Sequence, residues 1–235
     1  GVPGVYGRFT AEATAKRAIG SKGRFGIRAY GGYSTGSAGL AKQRQIYLAG
    51  ADPLEQFNNP FLRSQGALLV RPDVFYTMPG GAGLRGYDPR LSAKGALAVN
   101  LELERALVTR PQGKLFRRVA VAAFGDAGHT LADKYLRGSS PIRFLADAGV
   151  GIRAEHRIGE TVFTTRADFP LFVSKPVLAQ DNDPGTDKVG FRWQFSFSPG
   201  LTSLPGINNT GHAFASFLLG LADGGQVSLV PSPSY

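Results

Sequence analysis

Successive side chains of an extended strand point to opposite faces, so a period-two pattern fixes both the element and its two environments. That pattern recurs through this chain. In GFRWQFSFS (190–198), Phe191, Trp193, Phe195 and Phe197 fall on one face, and Arg192, Gln194, Ser196 and Ser198 on the other. ALAVNLELERAL (96–107) sets Leu97, Val99, Leu101 and Leu103 against Asn100, Glu102 and Glu104. RRVAVAAFGDAG sets Val119, Val121 and Ala123 against Ala120, Ala122, Phe124 and Asp126. RFLADAGVGIRAE sets Phe144, Ala146, Ala148, Val150 and Ile152 against Asp147, Arg153 and the glycines at 149 and 151. ETVFTTRADFPLF separates Phe163, Ala167 and Phe169 from Thr164, Arg166 and Asp168. GRFTAEATAK separates Phe9, Ala11, Ala13 and Ala15 from Arg8, Thr10, Glu12, Thr14 and Lys16. RFGIRAY, GALLVRPDVFY and RQIYLAG are weaker members of the set. The reading is roughly nine strands of about ten residues, the length a tilted membrane-crossing strand needs.

A half-buried strand of a soluble sandwich alternates in the same way. Four bulky aromatics in succession, however, resemble a lipid face with interfacial anchors. The fold class expected is therefore all-β, an antiparallel transmembrane β-barrel with polar residues inside. No apolar run reaches ~18 residues, so no membrane-spanning helix is expected. The formal charge of +10 is spread along the chain without a Lys/Arg block, which argues against nucleic acid as a partner. The absence of cysteine excludes a disulfide framework and thiolate metal sites. The chain opens GVPGVYGRFT, without Met or an apolar leader, and reads as a fragment or a processed chain.

Two spellings point toward chemistry and fail on context. GAGLRG (81–86) has the G-x-G-x-x-G of a dinucleotide-binding turn, but that turn must open a helix, whose N-terminus binds the pyrophosphate. Here YDPRLSAKG and then a period-two strand follow. The glycines read instead as a tight loop tip with positive φ. GYSTG (32–36) matches the nucleophile elbow, which needs a strand-to-helix turn and a downstream acid and His. Ser34 reads instead as part of a small-residue hairpin turn. The histidines at 129, 156 and 212 have no metal-ligand spacing. Asp126 beside His129 reads as a strand-end aspartate, not an acid–base pair. No enzymatic activity and no cofactor are expected.

An ordered set of motifs resembles one family. GAGLRGY (81–87), with Arg85, Gly86 and Tyr87, is similar to the R-G-[FY] loop tip of BamA/TamA-type outer-membrane assembly factors, the bacterial surface antigen superfamily. FGDAG (124–128), with Phe124, Asp126 and Gly128, is similar to that family's F-x-D-x-G strand motif. ALAVNLELER between them resembles the strand that carries a lumen-facing Glu, here Glu102. RADFPL and then GFRWQFSF resemble the last two strands. The final one, with Phe191, Trp193, Phe195 and Phe197, corresponds to an aromatic membrane-targeting signal. The resemblance runs from about Leu62 to Ser198. It implies a sixteen-strand barrel preceded by periplasmic repeat domains, of which this chain has only the C-terminal half, about nine strands.

The implied location is the bacterial outer membrane. The implied function is insertion, assembly or translocation of proteins there. Outer-membrane lipids and nascent outer-membrane proteins or a secreted partner are the expected partners. Two alternatives stand beside it: a barrel anchor or pore of an upstream patatin-like or peptidase hydrolase, and a fragment of a TonB-dependent transporter. The last is suggested by TGHAFASFLLGLADG alone. Residues 1–199 are read as the barrel and residues 200–235 as an extension of unknown role, with an amphipathic helix over Ala213–Leu221 or disorder as structural readings. The loop from about Thr77 to Ala93 is longer than a hairpin turn, and is expected to fold into the lumen. Arg85 would then pair with Asp126, with Glu102 as second acceptor and the Phe124 ring as a stacking surface.

Overall fold

A computed structural model describes residues 6–36, 44–50, 81–89, 91–110, 112–113, 116–131, 144–158, 161–179, 187–199 and 226–231. The described chain is all-β. Its strands are β1 (Tyr6–Ile19), β2 (Gly23–Gly36), β3 (Ile46–Tyr47), β4 (Ser92–Ala93), β5 (Gly95–Thr109), β6 (Arg118–Leu131), β7 (Phe144–Ile158), β8 (Thr161–Val173), β9 (Gln194–Pro199) and β10 (Gln226–Pro231). Eight of them form one sheet, in the order β10-β1-β2-β5-β6-β7-β8-β9, with every pairing antiparallel. β3 and β4 pair separately. In the expected barrel the sheet would close on itself. Among the described residues β9 and β10 are not hydrogen-bonded neighbours, and the sheet is open.

Seven of the segments that alternate in the sequence are members of this sheet. RQIYLAG instead contributes only the two residues of β3, and GALLVRPDVFY lies outside the described residues. The eighth member is β10, which comes from the stretch read as an extension and pairs with Phe9–Thr14 of β1. Residues 213–221 are outside the described residues. The aromatic segment forms a shorter strand than its alternation suggests, beginning at Gln194. Pro170 would face Arg192 in the β8–β9 register and has no N–H to give to the ladder. Beyond it a shifted contact continues, with Phe172 bridging Val189 and the Gly190 N–H donating to the Leu171 carbonyl at 2.9 Å.

The polarity of the two faces is the reverse of a soluble protein's. On β5, Leu97, Val99, Leu101 and Leu103 are exposed, while Asn100, Glu102 and Glu104 are at most 2% exposed. The same inversion holds on β6, β7 and β8, where Asp126, Asp147, Arg153, Arg166 and Asp168 are buried and Val121, Val150 and Ile152 are exposed. Among the described residues no second large sheet covers this buried polar face, so it is the concave inside of a curled sheet. Side-chain pairs agree. Arg24 of β2 reaches Glu155 of β7 at 3.0 Å, and Arg166 of β8 reaches Glu102 of β5 at 2.8 Å, each across two intervening strands.

The two ends of the sheet also differ. Residues 20–22, 110–117 and 159–160 make short connections at one end, the short-turn end, where residues 200–225 also connect β9 to β10. Residues 37–94, 132–143 and 174–193 make the connections at the other. The apolar part of the interior sits at this second end. There Leu48, Ala82, Leu84, Tyr87, Leu145, Val173 and Leu178 pack together beneath the β3–β4 pair.

Candidate functional site

The glycine-rich loop is held by its backbone first. The Ala82 N–H donates to the Tyr47 carbonyl and the Leu84 N–H to the Leu48 carbonyl, both at 2.9 Å, so β3 and Leu48 form a rail along which residues 82–84 run. RQIYLAG is thus a support for the loop and not a long strand of the sheet. On the other side, Arg28 of β2 donates to the Gly81 carbonyl at 2.7 Å, and Asn100 of β5 donates to the Gly83 carbonyl at 3.0 Å. Gly81 and Gly83 both have positive φ, of 54° and 72°. A Cβ on Gly83 would lie 2.9 Å from an Arg28 nitrogen. Glycine is needed there for the left-handed turn and for the close approach.

This geometry places Arg85 against the concave polar face, 2% exposed. Its guanidinium grips Asp126 of β6 in a two-point contact, Nε to Oδ2 at 2.7 Å and Nη2 to Oδ1 at 2.8 Å. Nη1 donates to Glu102 of β5, and Asp168 of β8 lies 3.7 Å away. The Phe124 ring lies beneath the guanidinium at 3.8 Å, within cation–π range. The structure therefore brings together Arg85, Glu102, Phe124 and Asp126. Burial by itself disfavours the charged guanidinium. Asp126, and after it Glu102 and Asp168, outweighs that and holds Arg85 charged well above the ordinary arginine range.

The remaining motif residues make room for the loop or anchor it. Tyr87 is buried, with its hydroxyl 2.9 Å from the Ala146 carbonyl, to which it donates, and 3.0 Å from the Ser174 hydroxyl. Burial raises the Tyr87 phenol above its usual range, and nearby Asp147 adds to the effect. Gly128 faces inward, where a Cβ would meet Leu84 at 3.0 Å, so it forms the floor on which Leu84 rests. A Cβ on Gly86 would meet Val173 at 2.6 Å and Asp147 Cβ at 2.9 Å. Both neighbours are held in strands of the sheet, so Gly86→Ala is expected to lower stability by about 1–3 kcal/mol through overpacking. Urea unfolding would measure it; an unchanged midpoint would show that the loop tip is loosely seated.

Several interior partners were not singled out by the motifs. Arg153 donates to both Glu102 oxygens, at 3.0 and 2.9 Å, and to Asp168 at 2.6 Å. Arg166 donates to Glu102 at 2.8 Å. Glu102 is thus the hub for Arg85, Arg153 and Arg166. Gly151 faces the same space, where a Cβ would overlap the Arg153 guanidinium and the Asp168 carboxylate. Arg28 also bonds Asn100 and Glu12, at 2.9 Å each. The available signal was strand parity, since each of these lies on its strand's polar face.

Other sequence spellings resolve structurally. Ser34 lies within β2 and not in a hairpin turn, and its hydroxyl donates to the Arg44 carbonyl at 2.7 Å. Among the described residues no helix follows Gly86; the Tyr87 backbone instead bridges Ala179. Asp126 points inward and His129 outward, so they do not form a pair. His156 stacks on Phe163, with ring centroids 4.9 Å apart. Phe191, Trp193 and Phe195 are 74%, 46% and 36% exposed, whereas Arg192 and Gln194 are buried. Phe197 pairs through its backbone with Thr165. Compared with family models, with curated proteins and with solved structures, the chain finds no match.

Proposed function

We propose that this chain is the C-terminal part of a bacterial outer-membrane β-barrel of the BamA-like kind, acting in the insertion, assembly or translocation of proteins at that membrane. The inverted polarity of the sheet carries the membrane half of the reading. An exposed face rich in Leu, Val, Ile and Phe, backed by buried Arg, Glu and Asp, suits lipid outside and a polar lumen inside. The three hairpin turns at 20–22, 110–117 and 159–160 share one end and are short, as periplasmic turns of outer-membrane barrels are, with the 200–225 connection as the exception at that end. Between its two edge strands the sheet pairs its backbone groups strand to strand, as a hydrocarbon environment requires.

The assembly half rests on the loop tip and on the final aromatic strand. Arg85 on Asp126, Glu102 and Phe124 joins the R-G-[FY] and F-x-D-x-G motifs whose order suggested the family. Among the described residues β9 pairs only with Phe163–Asp168 of β8, and its other edge has no strand beside it. That edge offers backbone groups to an incoming strand, the physical basis of templated strand addition.

The test uses opposite parities of one segment. Phe195→Arg would put a charge on the lipid face and is expected to weaken membrane assembly by about 2–4 kcal/mol if near mid-bilayer, and less toward the interface. Gln194→Arg adds the same charge to the polar face, where its effect is expected to be much smaller. Equal tolerance in a heat-modifiable mobility assay would remove the barrel reading. With the barrel retained, a photo-crosslinker at Ser198 is expected to capture nascent outer-membrane protein during synthesis. Capture of none would leave a barrel without the assembly role.

A further inference from the structure

The outer face carries two arginines in an otherwise apolar field. On β1 the outward series is Phe9, Ala11, Ala13, Ala15, Arg17 and Ile19; on β5 it is Leu97, Val99, Leu101, Leu103, Arg105 and Leu107. Both arginines are exposed and, among the described residues, neither has an ion-pair partner. β2 lies between them with no charge on its outward face. Arg17 is opposite Phe25, Phe25 is opposite Leu103, and Gly23 is opposite Arg105. The two Cα positions are therefore two strands apart, about 10 Å laterally. Phe25 and the bare backbone of Gly23 form the ground between them, so both guanidiniums can reach one group above that ground.

The step between them also has a meaning. Arg105 lies two residues further toward the short-turn end than Arg17, over two strands across, a slope of about 35° from the strand spacings. Strands of outer-membrane barrels tilt by roughly 35–45°. Arg17 and Arg105 thus share one level when the sheet is tilted in that way. The charge around this level has one sign. Lys22 and Arg110 are exposed at the same end, where Glu104 is buried and Glu155 is paired with Arg24 and Arg118. Among the described residues the exposed carboxylate is Asp187, at the opposite end.

We propose that Arg17 and Arg105 form a binding site for the headgroup phosphate of anionic phospholipids, in the leaflet at the short-turn end of the sheet. This rests on the membrane reading above and goes beyond it by naming a lipid class, a leaflet and two residues. Each guanidinium is a planar, permanently charged donor suited to phosphate, and the acyl chains continue onto Leu101, Leu103 and Ile27.

The experiment is partition of the chain into vesicles of phosphatidylcholine, with and without phosphatidylglycerol, for the native chain and two paired variants. The native chain is expected to partition more strongly when phosphatidylglycerol is present, and to lose the difference at high salt. Arg17→Gln with Arg105→Gln should reduce the gain by about twenty-five-fold, taking about fivefold for each arginine at an anionic surface. Arg17→Lys with Arg105→Lys should keep much of it, and circular dichroism would show that the variants retain the fold. Equal entry of the native chain into both vesicles, or a gain that survives the glutamine pair, overturns the site while leaving the barrel intact. Entry of the native chain into neither vesicle overturns the membrane reading and the site with it.

Discussion

Glu102→Ala is expected to be the most damaging single change in the interior, lowering stability by about 3–5 kcal/mol. Exposure decides this magnitude. A solvent-exposed ion pair contributes about 0–1 kcal/mol, because water and salt screen it. Glu102 is 2% exposed and meets Arg85, Arg153 and Arg166, themselves at most 2% exposed. Removing its carboxylate leaves three guanidiniums to share Asp126 and Asp168. Glu102→Gln keeps the shape but turns an NH2 toward arginine donors, so an intermediate loss is expected. Trp193 is the single tryptophan of the chain and provides the fluorescence readout for urea unfolding. A loss under about 1 kcal/mol for Glu102→Ala would mean that the interior behaves as a screened surface.

Arg85→Ala and Asp126→Ala are expected to be strongly non-additive. Arg85→Ala removes the two-point contact with Asp126, the bond to Glu102 and the stacking on Phe124 together. It also leaves Asp126 across the strand pair from Asp147, with Asn100 at 3.1 Å and the backbone N–H of residue 85 at 3.4 Å still donating to it. Two carboxylates at one rung with less positive charge between them repel. Asp126→Ala is the milder change, because Glu102 still accepts from Arg85. The double variant should be less damaging than the sum of the singles by about 2–3 kcal/mol, the upper range for residues in one network. Arg85→Lys should not restore the native value, since a lysine ammonium cannot reproduce the fork. Strict additivity in the cycle would show that the loop tip and β6 do not act as a unit.

Much of this was legible because strand parity is a local property. Val99 and Asn100 take opposite faces whatever lies elsewhere, so the split of apolar and charged residues could be read without knowing the partners. The proximity of Arg85, Glu102, Phe124 and Asp126 was legible for a different reason, a recognisable pair of short motifs. Parity gives the face of Arg153 and Arg166 but not their partner, because the tilt and curl that bring β7 and β8 over Glu102 are properties of the assembled sheet. Sequence separation hides such contacts. RQIYLAG departs from its expected role for a related reason. Its alternation is real, but β3 uses it to support the loop at residues 82–84. Alternation alone puts position 192 in mid-strand, because the effect of Pro170 depends on the β8–β9 register. The strand at Gln226–Pro231 had too short a pattern to be noticed.

The sources of Arg85's compensation bear on timing. Its carboxylates come from β5, β6 and β8, and Arg153 of β7 completes the charge balance around Glu102. The loop is made before all of these strands, and an arginine that entered the interior early would be desolvated without its counter-ions. Its descent is therefore expected to come last, after contacts of long sequence separation have formed slowly. Synthesis is directional, so a nascent chain that stops before β8 should still present residues 81–89 to a protease, and one that includes β8 should protect them. The loop tip then acts as a completion check, seating only when the strands that must be there have arrived.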